Sequence, residues 1–268
     1  MTQTCRTSLA ALAVVGAGLF LDGLLRADVI IDPDVGTATA TSYYFVEGLS
    51  PQRMVDNSGL AQPLNNGDPI PAVWPTHTNV RADMYWSGAE NTPTLTFTLH
   101  GFHDISSLHY WNYNDPGCGP HCNNGPERGF RGVDILVATD SVLGPYTLVG
   151  SYEFAEAPGT PDYTGATLAL GQTVRARFVQ LHVTSDWTGE AAGSAEIRFM
   201  GNPFRIPGDL NCDGVVNFED INPFVLALIG QAAYEATFPD CDWHNADANG
   251  DGQVNFGDIN PFVALLAL

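Results

Sequence analysis

One twelve-residue pattern occurs twice in this chain, and it constrains the fold more than any other feature. Residues 209–220 read DLNCDGVVNFED and residues 247–258 read DANGDGQVNFGD. Each copy sets oxygen-bearing side chains at positions 1, 3 and 5, a glycine at 6 and a carboxylate at 12. That is the order in which a loop of this length wraps a hard cation in oxygens. In the first copy the expected side-chain ligands are Asp209, Asn211, Asp213 and Asp220, with the backbone carbonyl of Val215, and Asn217 acting directly or through water. In the second they are Asp247, Asn249, Asp251 and Asp258, with the carbonyl of Gln253 and with Asn255. Gly214 and Gly252 stand where such a loop must turn sharply, which a Cβ resists. An Asx-rich turn would explain one copy. It does not explain two in register, each running on through the same six residues, D-I-N-P-F-V, at 220–225 and 258–263. The expectation is two calcium ions. Position 12 is Asp rather than the usual Glu, and its shorter reach leaves the affinity open.

After each loop the apolar residues fall at helical spacing: Ile221, Phe224, Val225 and Leu228, then Ile259, Phe262, Val263 and Leu266. Pro223 and Pro261 fall in the first helical turn, where a missing N–H is harmless. The stretch before Asp209, GNPFRIPG, cannot form an entering helix, so each unit is a loop with an exiting helix only. Two such half EF-hands packed through their apolar faces resemble a type I dockerin, the duplicated calcium module that binds cohesin domains in bacterial multi-enzyme assemblies. The resemblance covers about residues 207–268 and implies a small α-helical domain with a cohesin-like partner. It departs from the family at loop positions 10 and 11, often small hydroxyl residues that contact the cohesin. Here they are Phe218 and Glu219, then Phe256 and Gly257.

The formal charge of −20 matters because of where it sits. From Asp209 onward there are 10 Asp and Glu and no Lys or Arg, as expected of loops whose carboxylates await a cation. The remaining acidity argues against nucleic-acid or anionic-lipid partners, which need basic surface. The N-terminal 1–27 has the form of a secretory signal: Arg6 in a polar start, an apolar run from Leu9 to Leu25 broken by Asp22, and small residues before a cleavage point after Ala27. A single membrane anchor is the alternative, and the run is short and interrupted for one. The expected mature protein is secreted, with no membrane span.

Export permits disulfides. Cys118 and Cys122 sit in one loop, CGPHC, and are expected to pair locally; the alternative is a metal site with His121. Cys212 is position 4 of the first calcium loop and Cys241 precedes the second, so a bridge between them would tie the halves together.

Residues 28–206 read as all-β. Alternating runs at 94–102, 132–139, 146–154, 177–185 and 195–201 lie between clusters of Gly, Pro, Asn and Asp, which predicts a two-sheet sandwich or jelly roll. The succession MVDNSGL (54–60), a Trp-rich stretch, LTFTLHGFHDISSLHYWNYN (95–114), RGVDILVATD (131–140), ARFVQLHVTSDW (176–187) and AEIRF (195–199) resembles discoidin-like domains, also called coagulation-factor type C domains. These include many galactose-binding-like carbohydrate-binding modules. The resemblance implies an eight-stranded β-sandwich with ligand loops at one end. It also implies a structural calcium between an early Asp-Gly-type turn and a late Glu, here Asp56 and Glu196. In this chain the turn is Asp56-Asn57, and Asn tolerates the left-handed conformation. A plain turn with an exposed Glu is the alternative.

A sugar site needs an aromatic face and polar groups at its rim. The candidates are Trp74 and His77 in the 63–79 loop, Trp86, and the 112–131 loop with Tyr113, Asn114, His121, Asn123, Asn124 and Arg128. Core packing is the alternative for each aromatic. Trp74 leads because PAVWPTHTN is proline-bounded and polar around it. No nucleophile elbow, HExxH, phosphate loop or dinucleotide fingerprint is present, and the histidines match no metal-ligand spacing. The expectation is therefore a mainly β, discoidin-like jelly-roll sandwich followed by a dockerin-like calcium domain, in a secreted, non-catalytic protein. It would bind carbohydrate or a cell-surface ligand and dock to a cohesin-like partner, in polysaccharide capture or breakdown. A structural or adhesion protein with a calcium-stabilised cap, and an unrecognised polysaccharide hydrolase, are the alternatives.

Overall fold

The computed structural model describes residues 27–45, 48–88, 90–117, 125–188, 191–239 and 241–267. The signal-like segment, apart from its last residue, and the loop holding Cys118, His121, Cys122, Asn123 and Asn124 lie outside the described residues. The chain is mainly β, and the pairings between its strands are antiparallel. Eight strands run in chain order: β1 Val29–Ile31, β2 Thr39–Ala40, β3 Tyr85–Trp86, β4 Thr94–Asn112, β5 Phe130–Ala138, β6 Thr147–Glu153, β7 Ala166–Asp186 and β8 Gly193–Pro203. They join as β1-β8-β4-β7-β5-β6, with β2 on β4 and β3 on β8.

Hydrogen bonding links all eight strands into one sheet, where the sequence predicts two. The reason is that β4 and β7 are long enough to serve twice. The first part of β4, Thr94 to Thr98, pairs with Phe178 to His182 of β7, and its second part, His103 to Tyr110, pairs with Ala166 to Ala176. Register shifts between Thr98 and His103 and between Ile105 and Ser107 bend the strand between these two duties. The sheet thus wraps over one core, in which Leu95, Phe97, Leu108, Phe130, Leu181 and Phe199 are closed to solvent. The outer face of β8 and β4 carries a second apolar layer of Trp111, Tyr113, Ala195 and Met200, covered by Leu64, Met84 and half-buried Trp74.

Side-chain amides fasten the loop end of the sheet. Asn112 is fully buried. Its amide donates to Phe130 O (2.7 Å) and Ala155 O (2.8 Å), and its Oδ1 accepts from the N–H groups of Tyr113 and Phe130 (both 2.9 Å). A Cβ on Gly129 would meet Asn112 Oδ1 at 2.8 Å, so that position tolerates only glycine. Asn114 makes a second clasp: its amide donates to Thr78 O and Thr160 O, and its Oδ1 accepts from Gly159 N.

Beyond the sheet lie three short helices, α1 Ile221–Ile229, α2 Gln231–Glu235 and α3 Ile259–Leu265. α1 and α3 start where the repeated apolar spacing places them, and α2 is an addition that the sequence pattern does not announce. Phe224 and Phe262 stack across the pair at 4.0 Å and 9°, at the centre of a separate small core with Leu210, Ala227 and Tyr234. Among the described residues no helix is long and apolar enough to cross a membrane.

Asn112→Ala would take the side-chain partner from four backbone groups, and each that is buried costs about 1–3 kcal/mol when unmet. We expect it to destabilise the protein by at least about 3 kcal/mol in urea unfolding followed by tryptophan fluorescence. Asn112→Asp, which turns an oxygen toward two carbonyls, should not rescue it.

Candidate functional site

The two acidic loops fold alike. In the first, Asp213 N–H donates to Asn211 Oδ1, Val215 N–H to Asp213 Oδ1 and Gly214 N–H to Asp209 Oδ2. In the second, Asp251 N–H donates to Asn249 Oδ1, Gln253 N–H to Asp251 Oδ1 and Gly252 N–H to Asp247 Oδ2. Position 12 closes each loop from below. Asp220 accepts from Leu210, Asn211 and Asn217 N–H groups, and Asp258 accepts from Asn249 and Asn255. The same two aspartates complete capping boxes with Asn217 and Asn255 at the helix starts. One residue thus shapes the loop and starts the helix.

A cation fits the first loop on two grounds. Asp209 is 1 % exposed, and among the described residues no hydrogen bond of normal geometry reaches its Oδ1. Burial raises its carboxyl to about 6; the N–H groups of Gly214 and Cys212 pull it back, and neighbouring Asp220 and Asp213 push it further up. A buried carboxylate oxygen facing like charges calls for a positive partner. Among the described residues no three or more His, Cys, Asp or Glu side chains gather tightly enough to hold a metal by themselves. The loops' donor sets are mixed, with Asn211, Asn217, Asn249, Asn255 and the carbonyls of Val215 and Gln253 alongside the carboxylates. Such a set of hard oxygens suits calcium.

The sandwich pair does not fit a cation. Asn57 does take a left-handed conformation, φ 63°. Glu196, however, is fully buried against an arginine: Arg198 Nη2 lies 2.7 Å from its Oε1, which also accepts from Asn57 N–H at 2.8 Å. Burial raises the Glu196 carboxyl and the guanidinium opposes that shift. Asp56 is held by Arg53 at 3.3 Å and by Ser58 N–H. A metal there would sit against a buried guanidinium in a medium that screens little. At the Asp56 and Glu196 positions expected to hold a structural calcium, arginines already supply positive charge, while among the described residues no donor reaches the buried Glu196 Oε2.

The predicted sugar residues are mostly built into the fold. His77 and Tyr113 are fully buried and Arg128 is 8 % exposed. His77 bridges two loop segments by β-type pairing to Leu60 and Tyr163. Trp74 is half-buried and stacks flat on His109, at 3.7 Å and 10°, because the proline-bounded loop folds back over the outer face of β4. What solvent meets at the loop end is different. Tyr43 is 46 % and Phe45 75 % exposed, on either side of Tyr44, whose N–H donates to the carbonyl of half-buried Trp86. Tyr44 lies 4.6 Å from the Trp86 ring, and the guanidiniums of Arg81 and Arg128 lie over it at 5.1 and 4.7 Å. β3 joins this group to the start of β8, and a bridge from Gly129 to Gly193 brings in the turn after Arg128. The sequence did carry a signal, since three consecutive aromatics in SYYF cannot all face one side of a strand.

Cys212 and Cys241 are disulfide-bonded, with Cα atoms 5.6 Å apart.

No protein-family model matches the chain, and no curated protein matches it. Among solved structures, the chain is similar to the family 32 carbohydrate-binding module of C. perfringens NanJ in complex with galactose (16% identity, 65% of this chain and 99% of that one, TM-score 0.42). It is also similar to a Clostridium perfringens family 32 module in complex with GalNAc-β-1,3-galactose (16% identity, 60% and 92%, TM-score 0.40). A third is the family 32 module of AlyQ in complex with 4,5-unsaturated mannuronic acid (12% identity, 64% and 97%, TM-score 0.41). These are likenesses, and no ligand passes from them to this chain.

Two buried histidines each favour the fold less as the pH falls. Burial lowers both His103 and His109 from 6.5 to about 4. The native state therefore binds fewer protons than the unfolded chain between those values. Their contribution to stability is complete above about 6.5 and is lost as the pH falls toward 4, at about 1.4 kcal/mol per pH unit for each group. Buried carboxyls held above their usual range, Glu196 and Asp32 among them, oppose this slope, so the difference between variants isolates it: denaturant titrations at pH 7 and pH 5 should show His109→Gln losing about one proton of pH dependence relative to the parent while being less stable at pH 7.

Proposed function

We propose that this is a secreted, non-catalytic binding protein in which a carbohydrate-binding sandwich is joined to a calcium-folded docking tail. The tail reading is carried by one observation, the buried Asp209 oxygen that no hydrogen bond of normal geometry reaches among the described residues, within a loop whose bonding is repeated at 247–258. Asp209, Asn211, Asp213, the Val215 carbonyl, Asn217 and Asp220 would hold one ion. Asp247, Asn249, Asp251, the Gln253 carbonyl, Asn255 and Asp258 would hold the other. Calcium bound there supplies the positive charge that lets six aspartates share two tight loops. The chain's own part is to present helices. With Asp220 and Asp258 fixed, α1 and α3 start at defined points and pack through Phe224 and Phe262. Their outward side carries Ile221, Val225, Ile259 and Val263, flanked by Phe218 and Phe256 at 77 % and 78 % exposure. A cohesin-like partner would dock on this face, and it would read phenylalanine where the family often offers hydroxyls.

The sugar site of the sandwich is assigned to the aromatic loop end. Phe45 and Tyr43 offer ring faces to solvent, and Trp86 with Arg81 and Arg128 forms the firm base behind them. An exposed ring on a rigid base is what stacking on a pyranose needs. This replaces Trp74, His77 and Tyr113 as the surface a glycan would touch.

A glycan array probed with the full chain, in calcium and again in excess chelator, tests both halves. We expect binding to a defined sugar class in either condition, because the arginine-held sandwich uses no metal. Phe45→Ala should weaken it at least tenfold. Helical circular dichroism should fall in chelator and return with calcium. Absence of glycan binding by folded protein would overturn the carbohydrate reading, and a calcium-insensitive spectrum would overturn the tail reading.

A further inference from the structure

The two loops share a sequence pattern but not their surroundings, and this inference rests on the calcium reading above. Position 4 is left-handed in both, at φ 54° for Cys212 and 75° for Gly250. Glycine takes that conformation freely, whereas a residue with a Cβ does so only under constraint. At Cys212 the constraint is covalent, since its sulfur is bonded to Cys241. Three further contacts hold the start of the first loop. Asn245, itself 3 % exposed, donates from its amide to Asp209 O at 2.7 Å. Gly208 N–H donates to Asn245 O at 2.8 Å. Tyr234, fully buried, donates its hydroxyl to Leu210 O at 2.7 Å.

The second loop lacks these holds. Among the described residues no side-chain donor reaches the carbonyls of Asp247 or Ala248, and position 4 has no side chain to anchor. Asp247 is half-exposed, and its Oδ1 accepts from Gly250 and Asp251 N–H groups, whereas Asp209 is buried and no hydrogen bond of normal geometry reaches its Oδ1. A site already ordered without its ion loses less freedom when the ion binds. We propose that the loop at 209–220 is a preformed, tighter calcium site, that the loop at 247–258 is a weaker site ordered by its ion, and that the Cys212–Cys241 bridge sets the difference. Calcium uptake by this tail would then be graded and sensitive to reduction of a single disulfide.

Calorimetric calcium titration of the chelator-treated full chain decides this. We expect two binding events at least tenfold apart, which corresponds to about 1.4 kcal/mol. Asp209→Ala should remove the tighter event and Asp247→Ala the weaker. Cys212→Ser combined with Cys241→Ser should weaken the tighter event at least tenfold and leave the other unchanged. Equal affinities in the bridged protein, loss of the weaker event on Asp209→Ala, or a tighter event untouched by the serine pair would each overturn the proposal while leaving calcium binding intact. No calcium uptake at all would overturn the calcium reading itself. Should the serine pair fail to regain helical circular dichroism in calcium, the order of filling read from the two aspartate variants decides.

Discussion

The sandwich depends on one buried arginine. Arg198 on β8 is closed to solvent, and its guanidinium meets Glu196 at 2.7 Å, Asp32 at 3.4 Å, the Asn57 side chain at 2.8 Å and the carbonyls of Leu64 and Ile197. These partners come from the end of β1, from β8 itself and from the long segment that covers the outer face of the sheet. An arginine alone there would be ruinous, and so would Glu196 alone. Together they hold the cover in place, with Glu196 Oε1 also accepting from Asn57 N–H and the guanidinium donating to two carbonyls. Pairs of this kind add little net stability relative to apolar packing, but losing one partner costs several kcal/mol. The arrangement therefore fixes which segment lies on the sheet more than it raises the overall stability.

How much of this could be read from residues alone follows from the kind of signal involved. The acidic loops and the start points of α1 and α3 were legible because each is local: ligand spacing, a turn glycine and helical periodicity all lie within twenty residues. The alternating runs of β4, β5, β6, β7 and β8 were legible for the same reason. The second part of β4 and the first part of β7 were not, since His103 to Asn112 and Ala166 to Ala176 continue strands across bulges that only the partner strands impose. The loop side chains were least legible. Trp74 looks exposed among prolines, and its burial depends on His109, thirty-five positions away and on another element. His77 and Tyr113 look like rim residues because they are polar-tipped, yet long-range pairing takes both inside. Phe45 looks like core and faces water.

Both parts of the chain face the same problem, carboxylates held where water does not reach them, and they answer it differently. In the sandwich the positive charge is covalent: Arg198 serves Glu196 and Asp32, and Arg53 serves Asp56. In the tail no arginine or lysine occurs from Asp209 onward, so the buried Asp209, Asp220 and Asp258 have no cationic side chain of their own stretch to turn to. Arg205, just before the first loop, is engaged by Asp242 at 2.6 Å instead. Charge supplied by a side chain is permanent, whereas charge supplied by a dissolved ion depends on its concentration. On the proposed reading, calcium then governs one part of the molecule and leaves the other alone. The docking helices form only where calcium is abundant, while the sandwich keeps its shape and its ligand surface in either condition.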